Sequence, residues 1–385
     1  MDRKHYLDQI NFLFSVNRIV TLLGPRQCGK TTIAKQFCST VKNFPQVNYF
    51  DLENPEDLMR LNNPKTALED LNGVVVIDEI QRKPDLFPVL RYLHDEYPDK
   101  TYLILGSASR ELIKQTSESL AGRISYLEIT PFSLTEINGD DTKKLWQRGG
   151  FPKSFLAATD KISSIWLRDY IRTYAEQDLY ALGLTVNIEQ MKRFWAMISH
   201  YHGQTFNASE LATSLGISVP TVRNYLEILN NTFMIRILRP WHENLNKRQV
   251  KSPKIYLRDS GIFHHFMNIQ NYSELLKHPK LGASWEGFAL EQIIRSLEVE
   301  ATECYFWATH SQAELDLLII QGTAKTGYEF KYMDAPNITR SMQIALSDLS
   351  LDKIIVIYPG EKPYQLSDRI FVQPLQQAIQ SNPSV

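Results

Sequence analysis

Gly24-Pro25-Arg26-Gln27-Cys28-Gly29-Lys30-Thr31 is the stretch that decides the fold. It follows the strand-like run Arg18-Ile19-Val20-Thr21-Leu22-Leu23 and precedes a stretch of helical spacing over 31–41. Strand, glycine loop and helix form the context in which G-x-x-x-x-G-K-S/T binds phosphate. Gly24 and Gly29 let the backbone curl until its N–H groups point inward, and the helix adds its positive end. Lys30 then reaches the β- and γ-phosphates, and the Thr31 hydroxyl ligates Mg²⁺. Pro25, Arg26, Gln27, Cys28 and the next residue, Thr32, complete the expected ATP-binding stretch.

Working outward, 47–50, 74–77 and 102–105 read as further strands, with helical spacing over 86–96. Near-continuous apolar strands alternating with helices predict a parallel sheet covered on both faces. Val74-Val75-Val76-Ile77 ends in Asp78-Glu79. Asp78 is the expected second Mg²⁺ ligand, and Glu79 the residue that orients or deprotonates the attacking water. Ser107 closes Leu103-Ile104-Leu105-Gly106 and either touches the γ-phosphate or caps a helix. Asp51 and Glu53 either face the site or belong to a surface turn.

These motifs resemble the AAA+ class of P-loop ATPases. More narrowly, they resemble a prokaryotic group with a GPRQxGKT loop, a DEIQ strand end, a GSxS strand end and a SLAGR segment. Here those are 24–31, 74–81, 106–109 and 119–123, and Gly149-Gly150-Phe151-Pro152 also matches. The resemblance runs over nearly the whole chain. It implies an arginine that stabilises γ-phosphate charge, sometimes supplied by a neighbouring subunit, hence the expectation that a homo-oligomer forms. Arg123 is the leading candidate, with Arg168 and Arg172 behind it, and an ordinary surface role stays open for each.

Beyond Pro131 the pattern turns helical, over 134–137, 162–180 and 188–200. Ser209 to Leu226 reads as helix, turn at Gly216, then a helix with Pro220 in its first turn. With 234–238 as a wing strand, this segment resembles a winged helix. One reading lays the second helix in a major groove with Arg223 and Asn224 outward. The other makes it a lid or protein-docking piece. Residues 184–282 hold 12 Lys/Arg against 6 Asp/Glu, and 283–385 hold 7 against 13. The basic cluster Lys247, Arg248, Lys251, Lys254 and Arg258 suits a polyanion, so DNA is an expected partner.

The last segment holds a second signature. Asp316 opens the run Leu317-Leu318-Ile319-Ile320, and Glu329-Phe330-Lys331 gives E-x-K on another strand, with alternation putting Glu329 and Lys331 on one face. Upstream, Glu286 sits near the start of a helix. Two carboxylates and a lysine meeting at strand ends suit metal-assisted phosphodiester hydrolysis. The pattern resembles the PD-(D/E)XK nuclease superfamily, although Leu315 stands where the leading Pro is expected. That likeness implies Glu286 as the helix acid, Asp316 and Glu329 as metal ligands, Lys331 as the catalytic lysine and Gln343 as a helper. A nuclease-like fold kept for architecture alone is the competing reading.

The 385 residues therefore divide into a P-loop AAA+-like parallel-sheet ATPase domain (1–133), a helical lid or linker (134–183), a winged-helix middle (184–282) and a restriction-endonuclease-like α/β domain (283–385). Three scattered cysteines exclude a disulfide scaffold or CxxC zinc site and fit a cytoplasmic protein. No apolar run reaches membrane-helix length and the N-terminus lacks a leader-like block, so no membrane partner is expected. The expected cofactors are ATP and Mg²⁺. Two functions compete: ATP-regulated DNA processing with cleavage, or a nucleotide switch that docks a protein partner on a silent C-terminal domain.

Overall fold

The structure is a computed structural model that describes residues 3–107, 118–137, 141–181, 184, 186–243, 248–311 and 313–380. The chain divides into two compact units, one of 1–131 with 180–184 and 231–233, the other of the remaining residues.

The first unit is built on a five-stranded, wholly parallel sheet in the order β2-β3-β4-β1-β5. Its strands are β1 (Ile19–Gly24), β2 (Tyr49–Asp51), β3 (Val74–Asp78), β4 (Thr101–Ser107) and β5 (Ile124–Glu128). Every residue of β1 is buried. Ile19 and Leu23 feed one apolar cluster with Phe50, Ile77, Leu90 and Ile104, while Val20 and Leu22 feed the other with Ile33, Phe37, Val76 and Leu105. Alternation along each strand thus supplies both faces, which is why the runs read as continuously apolar. Helices Lys4–Val16 and Lys30–Thr40 cover one face, and Leu86–Glu96 the other.

The second unit carries a nine-stranded mixed sheet in the order β13-β14-β12-β11-β10-β9-β7-β8-β6. Its strands are β6 (Gln204–Thr205), β7 (Ile235–Pro240), β8 (Lys254–Leu257), β9 (Cys304–Ala308), β10 (Glu314–Gln321), β11 (Ala324–Phe330), β12 (Lys353–Tyr358), β13 (Tyr364–Ser367) and β14 (Ile370–Pro374). The sheet runs straight through the expected boundary at 282–283, because β7 pairs with β9 at Arg239↔Tyr305 and Pro240↔Phe306. Helix Leu281–Ser296 is buried along most of its length.

Helices Ala208–Leu215 and Val219–Asn231 are separated by Gly216 in the left-handed region (φ 66°), with Asn207 capping the first. Residues 134–137, expected to be helical, form turns instead, held where Ser133 N–H donates to Glu136. The Gly149-Gly150 turn is locked by Asp259, whose carboxylate accepts from Gly150 N–H at 2.8 Å. A Cβ at Gly149 would stand 2.1 Å from Asp259 Oδ1. The expected strand at 47–50 begins only at Tyr49, after a 3₁₀ turn over Gln46–Asn48.

Candidate functional site

The carboxyl ends of β1 and β3 build the first site, the edge at which parallel α/β sheets bind ligands. Gly24 ends β1, and a Cβ there would lie 2.1 Å from Ile129 O. Only glycine permits that approach. The loop curls through two left-handed residues, Gln27 (φ 62°) and Gly29 (φ 104°), before helix Lys30–Thr40 begins. Arg3 braces it from behind: its guanidinium donates to Cys28 O at 3.0 Å and to Thr130 O at 2.8 Å. Cys28 is fully buried, and burial pushes its thiol up, so it fills space rather than reacts.

Lys30 is buried, its ammonium folded back onto Gly24 O (3.0 Å) and Pro25 O (2.9 Å). Those two carbonyls hold it at the loop. Thr31 hydrogen-bonds Asp78, and Tyr49 Oη donates to Asp78 Oδ2 at 3.0 Å. Burial raises the Asp78 pKa, opposed by the Thr31 and Tyr49 hydrogen bonds. A hydroxyl and a carboxylate brought together at a phosphate loop are hard oxygen donors that fit Mg²⁺. Glu79 sits at φ 57° and its carboxylate accepts from Gln81 Nε2. Glu53 reaches the loop too, 3.4 Å from Arg26 Nη2. Thr32 follows Thr31 in the first turn of helix Lys30–Thr40. Gly24 pairs with Ser107 across β1 and β4, but the Ser107 side chain lies outside the described residues.

Arg123 lies away from the loop of its own chain. It directly precedes β5, whose Ile124 pairs with Ile19, at the opposite edge of the sheet from Gly24. Five strand residues, roughly 16 Å, separate that edge from the loop. Its guanidinium is engaged with Asp95, at 2.7 Å. Arg123 therefore cannot serve the phosphate loop of its own chain. Arg168 and Arg172 lie in the other unit, paired with Asp169 and Glu176.

A second constellation lies in the nine-stranded unit. Helix Leu281–Ser296 brings Glu286, β10 brings Asp316, and β11 brings Glu329 with Lys331 just beyond it. The register of β10 against β9 shifts between Leu315 and Leu318, so Asp316 stands at a bulge, the kind of irregularity that re-aims a side chain. Lys331 Nζ lies 2.7 Å from Glu329 and 3.7 Å from Asp316. Asp316 also accepts from Phe330 N–H. Burial pushes Glu329 up to about 8, aided by Asp316 and opposed by Lys331. Burial likewise raises Glu286 to about 7, against the pull of Lys254. Asp316 is held low by Lys254 and Lys331 in spite of burial. Gln343 is exposed on helix Arg340–Asp348.

Lys254 is the residue that sequence reasoning misplaced. Expected on a DNA-facing surface, it is buried. Its ammonium contacts Glu314 and lies 3.5 Å from Glu286 and 3.7 Å from Asp316. Arg258 is likewise spent, pairing with buried Glu291 at 3.3 Å alongside Arg236 and Arg295. The basic cluster is therefore not one solvated patch: Arg248 and Lys251 are exposed, and Lys247 lies outside the described residues. Arg223 and Asn224 are exposed on helix Val219–Asn231. Each carboxylate of the centre already has an ammonium partner. Among the described residues, no group of three or more His, Cys, Asp or Glu side chains is arranged for a metal ion. Asp316 and Glu329, the expected metal pair, share the Lys331 ammonium, so in this structure their oxygens face a protein cation.

The glycine loop, the Thr31–Asp78 pair and the parallel sheet define an AAA-type nucleotide-binding unit, and residues 16–138 match the AAA domain family. Residues 139–273 and 281–378 match two domains of unknown function, DUF8612 and DUF4143. The chain belongs to the family of the uncharacterized proteins Rv2008c of Mycobacterium tuberculosis and Mb2031c of Mycobacterium bovis. It is 44% identical to each over 362 residues, spanning 94% of this chain and 81% of the relative. The uncharacterized protein MJ1544 of Methanocaldococcus jannaschii is 24% identical, over 90% of this chain and 83% of its own. Among solved structures, the Walker-type ATPase paby2304 of Pyrococcus abyssi aligns with 69% of this chain and 95% of its own at 15% identity and a TM-score of 0.43. A RuvB of Thermotoga maritima aligns with 60% and 85% at 19% identity and a TM-score of 0.26. No helix among the described residues is long and apolar enough to cross a membrane.

Proposed function

We propose that this protein is a Mg²⁺-dependent ATP-binding and ATP-hydrolysing switch whose nucleotide state governs what its C-terminal half engages. The observation that carries the reading is a glycine loop at the end of β1 whose carbonyls already hold Lys30, with buried Asp78 at the carboxyl end of β3. On ATP entry, Lys30 exchanges the carbonyls of Gly24 and Pro25 for β- and γ-phosphate oxygens. Gly24 to Thr32 supply backbone N–H groups and the helix end. Mg²⁺, held by Thr31 and Asp78, supplies charge neutralisation at the phosphates. Glu79 orients water for in-line attack on the γ-phosphate, and Ser107 assists at the γ-phosphate. The arginine that stabilises γ-phosphate charge is then Arg123 of a neighbouring copy, with Arg168 and Arg172 as the other candidates.

Lys30→Ala abolishes binding of a fluorescent ATP analogue. Glu79→Gln keeps binding and lowers turnover by about 10²-fold or more. Undiminished hydrolysis in Lys30→Ala would sink the assignment.

A second reading is DNA processing, favoured by the convergence of Glu286, Asp316, Glu329 and Lys331 in a nuclease-like C-terminal domain (283–385). A winged helix over 184–282 then holds DNA through Arg223, Asn224, Lys247, Arg248 and Lys251, or instead docks a protein. Nicking of plasmid that disappears in Asp316→Ala supports cleavage; none under any metal or nucleotide condition leaves the switch.

A further inference from the structure

Lys254 is the side chain around which the C-terminal carboxylates are arranged. It starts β8, which is hydrogen-bonded on both sides, to β6 at Thr205 and to β7 at Leu238. Alternation sends Lys254 and Tyr256 to one face, where both reach Glu286, Tyr256 Oη at 2.6 Å. Glu314 and Asp316 from β10 meet the same ammonium. The side chain is only 4% exposed, and its Nζ lies 5.6 Å from the centre of the Phe306 ring. Three carboxylates from a helix and a strand thus surround one buried cation, fixed by the sheet rather than by a mobile loop.

We propose that Lys254 is the resident cation of this centre, occupying the place of a divalent metal, so that a metal ion enters only when the lysine is withdrawn. The proposal rests on the nuclease-like reading of the centre and states what fills its metal position. A buried lysine costs several kcal/mol in desolvation unless it is paired, and here three carboxylates pair it. An incoming dication meets that same charge and the same oxygen donors. The two cations therefore compete for one position. With Lys254 in place the centre is latent. With it removed, Glu286, Glu314 and Asp316, not arranged for a metal ion while the ammonium stands among them, are freed as hard oxygen donors of the kind that take Mg²⁺ or Mn²⁺.

The test is Mn²⁺ binding to the full chain without nucleotide, followed by electron paramagnetic resonance and calorimetry. Folding of every variant is checked by circular dichroism. Wild type, Lys254→Met, Lys254→Gln, Lys254→Arg and the double variant Lys254→Met/Asp316→Asn are compared. The expected result is one new Mn²⁺ site, at least tenfold tighter than any in wild type, in Lys254→Met and Lys254→Gln. That site is absent in Lys254→Arg, which keeps a cation in place, and lost again in the double variant. Equal Mn²⁺ affinity at this centre in wild type and Lys254→Met overturns the proposal while leaving a metal-binding, nuclease-like centre intact. No Mn²⁺ site in folded Lys254→Met or Lys254→Gln overturns both the proposal and the nuclease-like reading.

Discussion

Tyr49 Oη donates a hydrogen bond to Asp78 Oδ2 at 3.0 Å, from β2 to the end of the neighbouring β3. Asp78 is 2% exposed, so its carboxylate depends on protein donors for what water would otherwise supply. Tyr49→Phe removes one of them. The expected cost is about 1–3 kcal/mol of stability, read by urea denaturation. Asp78 then binds protons more readily, so ATP hydrolysis needs more Mg²⁺. A Mg²⁺ titration that superimposes on wild type contradicts this.

Glu291 is buried among Arg236, Arg258 and Arg295. The three guanidiniums hold its carboxyl far below the usual range, in spite of burial. Glu291→Gln leaves three partly buried cations facing a neutral amide, at an expected cost of about 3–5 kcal/mol. A change under 1 kcal/mol in chemical denaturation would show the cluster to be loosely solvated.

His264 is buried, its ring bridging Gln147 O at 2.8 Å and Ser284 Oγ at 2.7 Å. Burial lowers its pKa to about 4. The unfolded chain, with a histidine near 6.5, therefore binds more protons between pH 4 and 6.5. The stabilisation contributed by neutral His264 is present above about 6.5 and fades as pH falls toward 4. Glu286 and Glu329, raised by burial, act with the opposite sign across part of this window, so the informative quantity is the difference between wild type and His264→Gln. Wild type should lose up to about 1.4 kcal/mol per pH unit more than the variant. Parallel stability curves would contradict this.

Gly149 has φ 75°, and Asp259 occupies the space a Cβ would need. Gly149→Ala combines backbone strain with a steric clash, and Asp259 gives way only by losing its bond to Gly150 N–H. A loss of about 2 kcal/mol or more is expected, measured as a fall in melting temperature.

Arg123→Ala tests the sheet topology. Nucleotide affinity should stay within about twofold of wild type, since β5 puts this residue at the far edge from Gly24. Any loss of hydrolysis should depend on protein concentration. A tenfold weaker ATP affinity at high dilution would contradict that placement.

The phosphate loop was legible because its chemistry is local. Gly24 to Thr31 are consecutive, and β1 and helix Lys30–Thr40 abut them in the chain. The convergence of Asp316, Glu329 and Lys331 was legible for a related reason: β10 and β11 form a hairpin in which Leu317 pairs with Tyr328, and period-two alternation does the rest. Arg3 and Tyr49 carried no signal, since an arginine before an amphipathic helix and a tyrosine in a short strand look ordinary in any sequence.

Short-range spacing was enough for the parallel α/β unit, the glycine loop that carries Lys30 and Thr31, the strand end that carries Asp78, and the paired strands with two carboxylates and a lysine. What only the tertiary structure decided is how charges far apart in the chain are spent. Lys247, Arg248, Lys251, Lys254 and Arg258 look alike as a basic run. Yet sheet pairing turns Lys254 inward to Glu286, Glu314 and Asp316, and sends Arg258 to Glu291. The same pairing joins β7 to β9, merging segments that composition separates. Local pattern fixes which face a side chain takes; only the partner across the sheet, tens of residues away, decides whether that face meets water or a buried carboxylate.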